Sequence, residues 1–486
     1  MEGNYTARQT PQFRMFSESQ LDEFHRASLE ILRRTGVNVL EEEARELLKK
    51  AGAQVDGVRV RIPPHLVEWA VRTAPSQITL CDSRDGKPRV QLAGYKGYYG
   101  TGSDTVRVID PYTGERRPAV KADVANVAKL CDCLPNIDFV MSMGIAHDVT
   151  ASISDLHHFE AMVHNTRKPL VCTAWSLDNL KDIVEMAEVV AGGPDALRQN
   201  PFLVVYCEPI SPLQIPPEPV QKLLYLAEKG LPAIWTPGQT GGATSPVTVA
   251  GALAQGNAES LIGVVLAQLK REGAPVVYGH SRLHMDMRAA LCSYGAPEFM
   301  LGMIGCHELA HYYDLPVWSY GACSDAKTFD QQAGFVGALW TLVCALSGGN
   351  LMHDVGYLEA GLTSSLEYIV ASDELIGMVK RLMGGVEVSE ETLAVDVIDQ
   401  VGPGGQFLTD DHTLRHFRED WVPQLFDRGT YDTWAAQGSK TLGQRANDRV
   451  REILETHVPE PLPEEVKAKL SATIERAERR ASKGSA

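Results

Sequence analysis

Two periods alternate along most of this chain. From about Gly97, short apolar stretches rich in β-formers are followed by longer segments with apolar residues every three or four positions. The short stretches predict strands beginning at Tyr98, Phe139, Pro169, Phe202, Pro232, Pro275, Pro316 and Asn350. Helical patterns fit between them, such as "KADVANVAKLCDCL" and "EFMLGMIGCHELAHYY", and "SLEYIVASDELIGMVKRL" follows the last. Eight strands alternating with eight helices predict an α/β fold, a (β/α)8 TIM barrel over residues 97–383. An open doubly wound sheet is the rival, but no strand runs into a GxGxxG or Walker-type turn.

Residues 1–96 read as an N-terminal α+β cap. Ser17 or Ser19 caps a first helix that stops at Gly36, "LEEEARELLKKAG" forms a second, and "VRVRI" alternates like a strand. Residues 384–486 read as a C-terminal helical extension. It carries tight turns at Gly402-Pro403-Gly404-Gly405 and ends in a charged helix from Pro463, expected as a solvated tail.

Composition narrows the function class. Apolar residues make up 44% and charged ones 22%, an ordinary globular balance, and the net charge is -16. Such a surface opposes binding to nucleic acid phosphates and to anionic lipid. Nine cysteines, an odd number without a CxxC pair, suit a reducing compartment and small core positions. The N-terminus has no apolar signal region and no run looks long enough to cross a bilayer, so a cytoplasmic, membrane-free protein is expected.

The chemistry should sit where the strands end. "HELAH" (His307 to His311) matches a zinc-protease spacing, yet it lies on an apolar helix before a strand, and a structural role is expected. There is no GxSxG elbow, and Cys207 and Cys323 lack a neighbouring activator. No catalytic side chain and no tightly bound metal are therefore expected. What the strand ends do carry is aromatic rings mixed with carboxylates, the combination that attracts a desolvated cation. Tyr98, Tyr206, Trp235 and Tyr320 are the expected walls, with Asp104, Glu208 and Asp325 as counter-charges.

Four stretches, "GYYGTGSD", "SDAKTFDQQAGF", "GGNLMHDVGYLEAGLTSSLEY" and "GPGGQFLTDDHTLRHFR", make the chain resemble the trimethylamine methyltransferase superfamily. The resemblance implies a (β/α)8 barrel that passes a methyl group to the Co(I) corrinoid of a separate carrier protein, in the methylamine metabolism of methanogenesis or acetogenesis. Members that use trimethylamine carry pyrrolysine, whereas this chain contains only ordinary residues. The resemblance then points to quaternary amines, with glycine betaine first and proline betaine or carnitine next. It also implies a homo-oligomer. Two other classes stay open: a metal-dependent barrel lyase or hydrolase, and a non-enzymatic quaternary-amine binding protein.

A betaine also carries a carboxylate. His280, His353 and Arg282 are the expected donors for it, with Gln239 as a neutral partner and His353 preferred. Gly321, Ala322 and Cys323 are expected to form an open mouth for the corrinoid.

Overall fold

A computed structural model describes residues 10–484. The local signals act as their chemistry requires. Ser17 caps the helix Glu18–Glu30 in a reciprocal box with Gln20. Left-handed glycines close three later helices, at Gly192, Gly230 and Gly348.

Parallel strands dominate the middle of the chain. Leu170–Cys172, Leu203–Cys207, Ala233–Trp235 and Val276–Tyr278 pair in that order. Trp318–Tyr320 pairs with Leu351–His353, which pairs with Tyr98–Tyr99. Isolated parallel bridges join Gly100 to Phe139, Val140 to Leu170 and Tyr278 to Val317. Helices stand between successive strands, from Lys121–Cys133 to Gln331–Ser347, and Leu366–Met383 follows the last. The fold is α/β.

Alternation along these strands sorts side chains into two clusters. Phe139, Met141, Val171, Val204, Ile234, Val277, Trp318 and Leu351 pack together, with Tyr98 and Tyr206 against them. Ile78, Leu80, Val90 and Leu92 join that cluster from the antiparallel pair Ile78–Cys81 and Pro88–Leu92. The opposite parity, including Tyr99, Val140, Cys172, Val205, Trp235 and Tyr278, joins the larger cluster shared with the helices. That cluster also takes in Leu32 and Val60 near the N-terminus and Leu470 and Ala477 near the C-terminus.

Two expectations change here. The last helix, Glu464–Gly484, is not a solvated tail. Its Leu470, Ile474 and Ala477 are buried, while Arg476 and Arg480 bond Asp182 at 3.0 and 2.7 Å. Its charged face had masked an apolar stripe. Helix Val249–Lys270 is long and apolar enough to cross a membrane, but most of it is buried within the fold.

Candidate functional site

The ends of the strands Tyr98–Tyr99, Leu203–Cys207, Trp318–Tyr320 and Leu351–His353 bring three carboxylates together. Asp104 acts electrostatically on both Asp354 and Glu208, and these in turn act on Tyr206, Tyr294 and Tyr320. Tyr357 feels Asp354 and Asp104. Asp104 and Glu208 keep solvent-accessible surface although protein surrounds them, as groups lining a recess do.

The backbone is shaped to hold these groups. Asp104 and Asp354 both adopt positive φ, 60° and 68°, a region that Asp tolerates better than bulkier residues. Gly100 N donates to Met352 O at 2.9 Å and Val355 N to Gly100 O at 3.1 Å, so the two Asp-bearing loops lie side by side. Tyr357 OH donates to Ser103 O. A Cβ on Gly102 would land on Tyr357 and on Asp354 Oδ1, so a larger residue there would displace those side chains.

Burial pushes Asp354 well above the usual carboxylate range, and the Asp104 charge adds to it. Burial also raises Asp104 and Glu208, partly offset by the Ser103 and Tyr206 hydroxyls at 3.0 Å. Lys222 acts on both but is held elsewhere, donating to Ala174 O at 2.9 Å and pairing with Glu218. His353 is lowered to about 3 by burial. Its ring stacks on Trp318 at 4.0 Å and tilts against Tyr320 at 4.5 Å. Tyr206 meets Trp318 at 5.8 Å, and Tyr294 meets Tyr320 edge-on at 6.0 Å.

Of the residues expected from the sequence, Asp104, Tyr206, Glu208, Tyr320 and His353 come together here. Tyr98 pairs across from Leu351, one layer before His353. The others do different work. Trp235 is fully buried, packs on Gly263 and donates through Nε1 to Glu259 O at 2.9 Å, so it fills the strand–helix interface. Asp325 is not a counter-charge. It accepts Ser293 Oγ at 2.5 Å and the backbone N–H groups of Tyr294 and Gly295 at 2.7 and 2.9 Å, thereby placing the Tyr294 ring.

Gln239 and His280 turn toward helix Val249–Lys270, where a Cβ on Gly256 would meet both at 2.7 to 2.8 Å. Neither His280 ring nitrogen has a hydrogen-bond partner, and burial lowers it to about 3. Arg282 gives Nη2 to Val247 O at 2.7 Å. Gly321, Ala322 and Cys323 form no open mouth. They are buried, with Gly321 N on His353 O at 2.6 Å and Gly356 N on Ala322 O at 3.0 Å, so their small size permits close backbone packing.

Sequence reasoning missed Tyr294, whose only local signal is a Ser-Tyr-Gly turn before Pro297. Asp354 and Tyr357 stood in the quoted strand end but were not singled out as ligands.

Other features serve the scaffold. His307 Nδ1 meets Ser347 Oγ at 2.8 Å, Glu308 accepts Met15 and Phe16 N–H groups, and His311 stacks on Tyr95, so HELAH is structural. Glu391, His412 and His416 offer ligand atoms within 4.8 Å of one another, but Arg415 Nη2 already holds Glu391 Oε1 at 2.8 Å. A cavity of about 720 Å³ is lined by Glu374, Phe426, Trp434 and Arg445 and by none of the carboxylates or rings of this group.

An α/β protein with carboxylates and rings converging at its strand ends is built to hold a small ligand there. The model of the trimethylamine methyltransferase (MTTB) family matches residues 2–483. The chain belongs to that family and is an enzyme of the methyltransferase kind. It is 38% identical over 467 residues to trimethylamine methyltransferase MttB of Desulfitobacterium hafniense (strain DSM 10664 / DCB-2), covering 95% of this chain and 94% of that one. It is 33% identical over 469 residues to glycine betaine methyltransferase of Desulfitobacterium hafniense (strain Y51), covering 96% and 97%. The crystal structure of the Methanosarcina barkeri monomethylamine methyltransferase shares its fold, with a TM-score of 0.54 at 12% identity over 91% of this chain and 88% of that one.

Proposed function

We propose that the enzyme moves a methyl group from a quaternary amine to the Co(I) corrinoid of a separate carrier protein. The observation that carries this reading is the convergence of Asp104, Glu208 and Asp354 with the rings of Tyr206, Tyr294, Tyr320 and Tyr357, within a family of methyltransferases. In the same reading the successive pairings and bridges are a closed (β/α)8 barrel over 97–383, capped by 1–96 and extended by 384–486.

The chemistry asks little of protein acids or bases. A quaternary nitrogen already carries its charge, so the tertiary amine leaves neutral and needs no proton. The carboxylates and ring faces replace water around the cation. Fixed walls hold one N–CH3 bond in line for displacement. The Co(I) corrinoid supplies the nucleophile when its carrier is bound. Buried Gly321, Ala322 and Cys323 do not fit contact with it. Exposed Trp175, Ile210, Val247, Met287, Phe335 and Leu362 follow the strand ends and offer an apolar rim that does. The proposed setting is the cytoplasm, and a second copy of the chain would cover exposed Val386, Leu408, Leu414 and Val422 of the extension.

The test is incubation with free cob(I)alamin and a panel of quaternary amines, following loss of the Co(I) absorbance. Methyl transfer from at least one of them is expected. Binding without transfer, also with the reduced carrier, would favour the plain binding protein, and zinc co-purifying at one per chain would favour the metal-dependent lyase or hydrolase.

A further inference from the structure

Four short helices of the extension, Glu390–Leu393, Val395–Val401, Asp411–His416 and Tyr431–Ala436, contain no buried residue. Segments that lack a core of their own are commonly fastened by a bound metal or by a partner surface. We propose that Glu391, His412 and His416 form a zinc site that ties the first of these helices to the third. His412 and His416 stand four residues apart on Asp411–His416, so their rings share one face, with centroids 4.4 Å apart. Glu391 arrives from 21 residues before His412. One ligand atom from each of the three lies within 4.8 Å of the others. A tetrahedral zinc with bonds near 2.1 Å sets its ligand atoms about 3.4 Å apart. His416 Nε2 already stands 3.2 Å from Glu391 Oε1, and small rotations of the His412 ring and the exposed carboxylate close the remainder.

The surroundings of His416 suit a metal ligand. Glu419 Oε1 meets its Nδ1 at 2.7 Å. A carboxylate on the second ring nitrogen fixes the tautomer and orientation of a zinc-bound imidazole, and here it aims Nε2 at Glu391. Without the ion, a proton on Nε2 makes the contact with Glu391 Oε1, and zinc takes that proton's place. Arg415 is the competitor. Its Nη2 holds Glu391 Oε1 at 2.8 Å, but both side chains are more than half exposed, where such pairs are weak. Glu391 Oε2 has no partner among the described residues. Structural zinc sites hold their ion with four protein ligands. Three on an exposed surface, one of them shared with Arg415, give an ion that exchanges during purification.

The test titrates the full chain, dialysed against a chelator, with zinc chloride in a calorimeter. One ion per chain is expected to bind. His412→Ala and His416→Ala should each weaken it at least about tenfold, and Glu419→Gln about tenfold with the stoichiometry kept. Arg415→Gln should tighten it, because the Glu391 carboxylate is released. Zinc should also slow proteolytic cleavage between residues 394 and 410, which join the two tied helices, in the parent and not in His416→Ala. Methyl transfer to cob(I)alamin should be the same with and without zinc, which separates this site from any metal at the strand ends. No binding by the parent below about 1 mM overturns the proposal. So does binding that survives both histidine substitutions, or an affinity that Arg415→Gln leaves unchanged. The parent and Arg415→Gln measurements decide the matter even if a histidine variant does not fold.

Discussion

His353 Nε2 stands 3.2 Å from Asp354 Oδ1, and the neighbouring residues share one proton rather than an ion pair. His353 Nδ1 lies 2.5 Å from Ser319 O, which accepts and cannot donate. That fixes the proton on Nδ1 and leaves Nε2 as an acceptor, so the proton of the contact belongs to Asp354. Burial pushes both groups the same way, lowering the imidazole to about 3 and raising the carboxyl. Two adjacent neutral groups thus stand side by side in the buried part of the site.

Asp354→Asn should separate stability from binding. The folded pKa of Asp354 lies above its unfolded value of 3.8, so its stabilising contribution is full below that value and is lost as pH rises through the folded pKa. Asn keeps the shape, tolerates the positive φ and can donate to His353 Nε2. At neutral pH, urea titration should show the variant equal to or up to about 1 kcal/mol more stable than the parent. Affinity for a quaternary ammonium should fall at least about tenfold. A variant that is unstable yet binds normally would place Asp354 in the scaffold.

Acid should weaken the fold through its histidines. Burial lowers His280, His307 and His353 to about 3 and His158 to about 4, all below the ordinary 6.5. The unfolded chain binds these protons first, so stability is full above about pH 6.5 and declines as pH falls toward 3. Each such histidine costs about 2 kcal/mol by pH 5. His280→Gln is the cleanest probe, since neither ring nitrogen is bonded. Its urea midpoint should fall less between pH 7 and pH 5 than that of the parent, and an unchanged difference would rule the residue out as a contributor.

Asp325 should matter at a distance. It holds the Ser293–Gly295 turn through three bonds, and Trp340 Nε1 holds Tyr294 O at 2.7 Å from the other side. Asp325→Ala leaves buried donors unpaired and is expected to cost about 2–3 kcal/mol of stability. It should weaken ammonium binding as much as Tyr294→Ala does. If the double variant binds worse than either single one by the product of both losses, the two residues act independently and Asp325 is not the positioning group.

Gly102 and Gly334 give a matched pair of alanine substitutions. A methyl group on Gly102 displaces Tyr357 and Asp354, so Gly102→Ala should abolish measurable methyl transfer while retaining the far-ultraviolet circular dichroism of the parent. Gly334 has open space around it and an ordinary helical backbone. Gly334→Ala should raise stability by about 0.5–1 kcal/mol and leave transfer unchanged. Equal effects from the two would mean that the tight contact at Gly102 has no bearing on the site.

Much of this molecule was written in local patterns. Periods of two and near 3.6 residues reveal strands and helices because each depends on neighbours within a few positions, and polar residues mark where strands end. Asp104, Tyr206, Glu208, Tyr320 and His353 could be placed near strand ends for that reason. Trp235 and Tyr206 look alike in sequence, an aromatic near the end of an apolar strand, yet one faces a helix and the other faces the carboxylates. Their sides depend on pairing with neighbouring strands, which Cys207↔Trp235 and Tyr206↔Ile234 record and no local pattern encodes. Asp325 looked free until a turn 30 residues earlier gave it three hydrogen bonds, and Tyr294 entered the site by the same contact. Gly321 to Cys323 looked open, but strand packing closed over them. The sequence by itself determined which polar and aromatic residues stand near strand ends; only tertiary structure decided which of them converge, because side-chain direction and hydrogen-bond partners are set between elements rather than within them.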